Sequence, residues 1–171
     1  MQDIRSRKLT PICNAIEGGN YSKGANLCLK KDVANWDTTK ALLSYCYSNL
    51  NRKDEALLLA QEVIGRKPTD DATLFPLKLT LKSLQAYDAM ITLYESVLEA
   101  NPSNLKMSEE LFFTYVRKDE PKQMQLLAQK LYKQTGSARY LFWAVTSMLC
   151  QGPEGAEVTL KLAEMMLKKT L

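Results

Sequence analysis

The chain has 171 residues, of which 46% are hydrophobic and 25% charged, with 23 Lys and Arg, 19 Asp and Glu, no His and a formal net charge of +4. That is the make-up of an ordinary soluble domain with enough apolar material for a continuous core. The missing His excludes His-dependent triads and Cys/His zinc sites, and the most apolar stretch, Leu141–Leu149, is about half of the roughly 20 residues that cross a bilayer.

The N-terminus, Met1-Gln2-Asp3-Ile4-Arg5, lacks the apolar core of a signal peptide, and Asp3 argues against a mitochondrial transit peptide. The expected compartment is cytoplasmic. Helices are predicted over 6–17 and 21–31, split by the turn Gly18-Gly19-Asn20. This first stretch carries Arg5, Arg7, Lys8, Lys23, Lys30 and Lys31 against Asp3 and Glu17, a net +4 that equals the charge of the whole chain. It reads either as an ordinary solvated end or as a contact for ribosomal RNA, where neutralised phosphates make binding salt-dependent.

From residue 37 onward the chain repeats every 34 residues. Steps of 34 link Leu43, Leu77 and Leu111, then Tyr47, Leu81 and Tyr115, then Ala56, Met90 and Met124. They also link Ala60, Tyr94 and Ala128, then Val63, Val97 and Leu131, then Pro68, Pro102 and Gly136. A period of 34 with these residue types is the tetratricopeptide (TPR) pattern of two helices per unit. Short polar turns split each pair: Asn51–Asp54, Gln85–Asp88 and Lys118–Pro121. Pro and Gly end the second helices because Pro lacks an N–H and Gly tolerates the cap geometry. A last hairpin is predicted from helices over 140–150 and 158–169, split by Gln151-Gly152-Pro153-Glu154-Gly155.

The predicted fold is therefore all-α: a TPR-like α-solenoid of about five helical hairpins (6–31, 37–67, 71–101, 105–135 and 139–170) forming a single domain over 1–171. Each hairpin has two apolar faces, so stacking is obligatory. The last helix shows Met165, Met166 and Leu167 with no polar helix to cap it. The expectation is that the array continues; the alternative is that this end meets a partner.

No GxGxxG, Walker A, GxSxG or HExxH pattern is present, and the carboxylates lie scattered among lysines as on solvated helix faces. No catalytic, cofactor-binding or metal-binding residue is assigned. Cys13, Cys28, Cys46 and Cys150 contain no CxxC spacing and read as buried free thiols; Trp36 and Trp143 read as packing residues. Tyr45, Leu79 and Phe113 recur at one repeat position on the predicted first helices. They read either as apolar contacts for a partner helix on the concave face or as packing between repeats.

Several blocks carry a family resemblance: residues 7–25 (RKLTPICNAIEGGNYSKGA), 53–74 (KDEALLLAQEVIGRKPTDDATL), 111–133, 140–151 (YLFWAVTSMLCQ) and 162–169 (LAEMMLKK). In that order they resemble the N-terminal part of the large auxiliary subunits of NatB-type N-terminal acetyltransferase complexes, which are several times longer. The resemblance implies a non-catalytic scaffold that binds a catalytic subunit of GNAT fold and assists ribosome association. It places acetyl-CoA on that partner and not on this chain. The implied substrates are nascent chains beginning Met-Asp, Met-Glu, Met-Asn or Met-Gln; neither membrane nor DNA is an implied partner. The competing reading is an unrelated TPR adaptor for protein–protein interaction. A clamp for chaperone C-termini is disfavoured because the recurring position holds Tyr45, Leu79 and Phe113, not Lys, Arg and Asn.

Overall fold

The computed structural model describes residues 2–152 together with Glu157, Leu160, Lys161, Glu164, Met165 and Lys168. Among these residues there is no strand, and helices follow one another: α1 (Gln2–Glu17), α2 (Tyr21–Cys28), α3 (Asp37–Asn49), α4 (Lys53–Ile64), α5 (Asp71–Leu84), α6 (Tyr87–Ala100), α7 (Leu105–Lys118), α8 (Pro121–Thr135) and α9 (Ala138–Leu149). Of the predicted last helix, the five described residues are exposed, Met165 among them; Met166 and Leu167 lie outside the described residues.

Local chemistry sets the helix ends. Asp70 caps α5, its carboxylate accepting from both the backbone N–H and the hydroxyl of Thr73 at 2.9 Å. Asn104 does the same for α7 through Met107 N–H, and Asn20 for α2 through Lys23 N–H. Pro121 opens α8, where a missing N–H costs nothing. Gly136 closes it in the left-handed region at φ 67°. The helix expected over 21–31 stops at Cys28: three-residue backbone bonds, Lys30 N–H to Leu27 O and Val33 N–H to Lys30 O, turn the chain so that Val33 enters the core.

The residues divide into two compact units, Met1–Ala100 and Asn101–Leu171. In the first, α3 is central and packs against α1, α2, α4 and α5, while α6 packs against α4 and α5. In the second, α8 packs against both α7 and α9. The 34-residue periodicity is a core periodicity: all fifteen side chains of the five apolar sets are buried. Each large one adds roughly 1.5–3 kcal/mol by leaving water. Ala56 and Ala60 are fully buried on α4, and Met90 and Tyr94 fill the same slots on α6.

Two further features tie neighbouring helices together. Gly24 brings α2 close to α3, since a Cβ there would stand 3.0 Å from Cys46 Sγ and 3.2 Å from Ile16 Cγ1. Between α3 and α5, buried hydroxyls pair across the repeat: Thr38 with Thr73 at 2.8 Å and Ser44 with Thr80 at 3.2 Å. Ser44 and Thr80 also reach their own helices at Ala41 O and Pro76 O. The protons of these last two hydroxyls thus serve three contacts.

Candidate partner-binding surface

In the first unit, α1, α3 and α5 leave an apolar groove of about 290 Å³ between them. Helical spacing builds its walls. Leu9, Cys13 and Ile16 follow at four and three residues on α1, and Thr38, Leu42 and Tyr45 do so on α3; on α5 Ala72, Pro76 and Leu79 keep the same steps, with Phe75 beside them. Phe75 is 62% exposed on the wall, and Glu17 is the one charged residue that lines it. The Tyr45 ring meets Tyr21 edge-on at 5.9 Å, and the hydroxyl pairing between them pushes the Tyr21 phenol above its ordinary range. Burial, and then the charge of Glu17, push the Cys13 thiol up, so it stays protonated near neutral pH.

The groove therefore brings Tyr45 and Leu79 together. Phe113 lies on α7 in the second unit, 44% exposed in an aromatic cluster. There Phe112 stacks on Trp143 at 4.3 Å, and Phe113 meets Phe112 and Trp143 edge-on at 5.7 and 5.2 Å. The Arg139 guanidinium sits 4.9 Å from the Trp143 ring and 5.2 Å from that of Tyr140. It also pairs with the Glu109 carboxylate, which accepts from the Tyr140 hydroxyl at 2.6 Å and pushes that phenol up. Trp143 thus packs, as its residue type suggests, and does so at a half-open surface.

The basic residues of the first stretch are all exposed, on α1, on α2 and in the turn after α2. Lys8 pairs with Asp32 at 3.0 Å and holds that carboxyl below its usual range. The Arg5 guanidinium lies 5.2 Å from the Trp36 ring. Arg7 sits on the same helix, Lys23 on α2, and Lys30 and Lys31 in the turn. Asp32, one residue past the basic stretch, therefore offsets part of its charge.

The cysteines divide by environment. Cys28 and Cys46 are buried side by side, and the contact with Cys46, followed by burial, pushes the Cys28 thiol up. Cys13 is half-buried in the groove. Cys150 departs from the expectation of burial: it follows the last residue of α9 and is exposed. The α1 wall of the groove was also missed by sequence reasoning. Its signal was available in the stripe Leu9, Cys13, Ile16, but the first hairpin stands off the 34-residue register that located the other positions. Among the described residues no helix is long and apolar enough to cross a membrane, and no group of three or more Cys, Asp or Glu could hold a metal ion.

The fold matches a solved structure of a mutant MamA protein, with a TM-score of 0.55 at 19% identity over 97% of this chain and 99% of that one. This is a likeness of fold alone. Among curated proteins, the chain is 32% identical over 174 residues to the phagocyte signaling-impaired protein of Drosophila pseudoobscura pseudoobscura, covering 95% of this chain. It is 31% identical over 178 residues to the Rattus norvegicus protein named N-alpha-acetyltransferase 25, NatB auxiliary subunit, covering 99% of this chain. The chain spans 18% of the length of each of these relatives. Residues 6–171 match the family described as Psidin, N-terminal TPR repeats region, and the chain belongs to that family.

Proposed function

We propose that this chain acts as part of a non-catalytic auxiliary subunit of a NatB-type N-terminal acetyltransferase complex in the cytoplasm. The observation that carries the reading is identity of about 30% across nearly the whole chain to proteins named as NatB auxiliary subunits. In this reading a separate GNAT-fold subunit binds acetyl-CoA and acetylates chains beginning Met-Asp, Met-Glu, Met-Asn or Met-Gln, while the helical repeats hold that subunit. The apolar groove with Tyr45 and Leu79, and the aromatic cluster with Phe113, are the surfaces that suit protein contact. Arg5, Arg7, Lys8, Lys23, Lys30 and Lys31 are the ribosome-facing set.

Co-expression with the catalytic subunit tests this. The expected result is co-purification and faster acetylation of a Met-Asp peptide than by the catalytic subunit alone. Separate elution, with an acetylation rate unchanged by adding the chain, would assign that role elsewhere.

A further inference from the structure

The groove between α1, α3 and α5 is apolar along its length and charged at one end. Glu17 is the last residue of α1, where the aligned peptide dipoles favour a cation and disfavour a carboxylate. The last turn of α1 holds no basic residue, and no cation among the described residues pairs with Glu17. Of the other polar groups of the groove, the Thr38 hydroxyl is already engaged with Thr73, and the Tyr45 ring lies edge-on to Tyr21. The groove therefore offers no row of donors and acceptors to an extended backbone. It suits an occupant whose backbone hydrogen bonds are internal.

Length and volume agree. From Leu9 to Ile16 and from Ala72 to Leu79 is seven residues each, about 10 Å along a helix axis. That is the reach of an i, i+4, i+7 stripe on an occupying helix. A volume of about 290 Å³ lies at the bottom of the range for small-molecule sites, and side chains entering from a helix laid across it would fill it.

We propose that this groove takes an amphipathic helix of a partner protein, its aliphatic stripe seated between α1, α3 and α5 and a Lys or Arg beyond the stripe paired with Glu17. The assignment rests on the protein-binding reading above and names the kind of segment that reading requires. The cation relieves a carboxylate that the end of α1 disfavours, and it orients the helix in the groove.

The test uses a synthetic helical peptide of about 18 residues, labelled with fluorescein, with leucines at i, i+4 and i+7 and a lysine one turn further on. It is titrated into the chain carrying Cys150→Ser, which leaves Cys13 as the one cysteine that is neither buried nor substituted. Saturable binding that slows iodoacetamide modification of Cys13 is expected. Leu79→Glu is expected to raise the Kd by about tenfold or more with the helical circular dichroism unchanged. Glu17→Lys should invert the preference, so that a peptide with glutamate in place of lysine binds better. Absence of saturable binding, or a Kd unmoved by Leu79→Glu, overturns the groove. Equal affinities of the two peptides for both the parent and Glu17→Lys overturn the paired cation. Co-purification with the catalytic subunit that persists in Leu79→Glu, without peptide binding, removes the groove and leaves the auxiliary role standing; peptide binding without co-purification does the reverse.

Discussion

Thr39 stands among the fully buried side chains, yet its hydroxyl is the one buried side-chain polar atom without a hydrogen-bond partner among the described residues. Leaving a buried donor unmet costs about 1–3 kcal/mol. Thr39→Val keeps the shape and removes the polar atom, so it is expected to stabilise the chain by about 1 kcal/mol. Chemical denaturation should show a higher midpoint with an unchanged slope; a lower midpoint would mean that the hydroxyl is satisfied. Its neighbours differ in kind. Thr38, Ser44, Thr73 and Thr80 are buried and paired, and nothing in their residue type distinguishes them from Thr39. That difference comes from which helix lies opposite.

At the level of helices, α3 and α4 are joined by a short network of charges. Lys40 Nζ donates to Glu62 at 2.6 Å, and Arg66 bridges Glu62 at 2.7 Å and Asp37 at 2.6 Å. The hydrogen bond from Lys40, followed by the charges of Lys40 and Arg66, holds the Glu62 carboxyl below its ordinary range. A carboxyl depressed in the folded state contributes stability that is present above its unfolded pKa and is lost as pH falls through the folded value. Because Glu62 and Arg66 are nearly half exposed, the contribution is about 0.5 kcal/mol. Glu62→Gln should therefore melt slightly below the parent at pH 7 and coincide with it in acid, below the carboxyl's ordinary range near 4.5. A gap that survives in acid would point to packing, not charge. Helix ends follow the same local logic, and here the chain was readable: Asn20, Pro121 and Gly136 stand where turns were predicted, and each serves a cap. The exception, the early stop of α2, follows from Val33. Its burial outweighs the continuation of a short helix through Lys30 and Lys31, a gain that depends on the neighbouring helices.

For the molecule as a whole, the prediction concerns charge. Arg7, Lys23, Lys30 and Lys31 are four of the six exposed basic residues proposed to face ribosomal RNA. Replacing those four by Gln should weaken co-sedimentation with ribosomes and flatten its salt dependence, by about 0.7–0.9 in slope for each phosphate no longer neutralised. An unchanged slope would remove RNA from the partners of this end. The same set shows the limit of reading charge along the chain: a count over residues 1–31 includes Lys8 and omits the Asp32 that pairs with it.

Sequence alone determined the repeat, its helical nature and the core side chains, because a face that must be buried at every stacked unit leaves the same apolar residue types every 34 positions. It also located Tyr45 and Leu79 as an equivalent pair. Only the tertiary structure decided that these two share a groove with Leu9, Cys13 and Ile16 of α1. The groove depends on how three helices from different hairpins pack, and the first hairpin lies outside the register that makes equivalence visible. The tertiary structure alone also set Glu17 at the end of that groove, because a charge on a helix face acquires its meaning from the surface next to it.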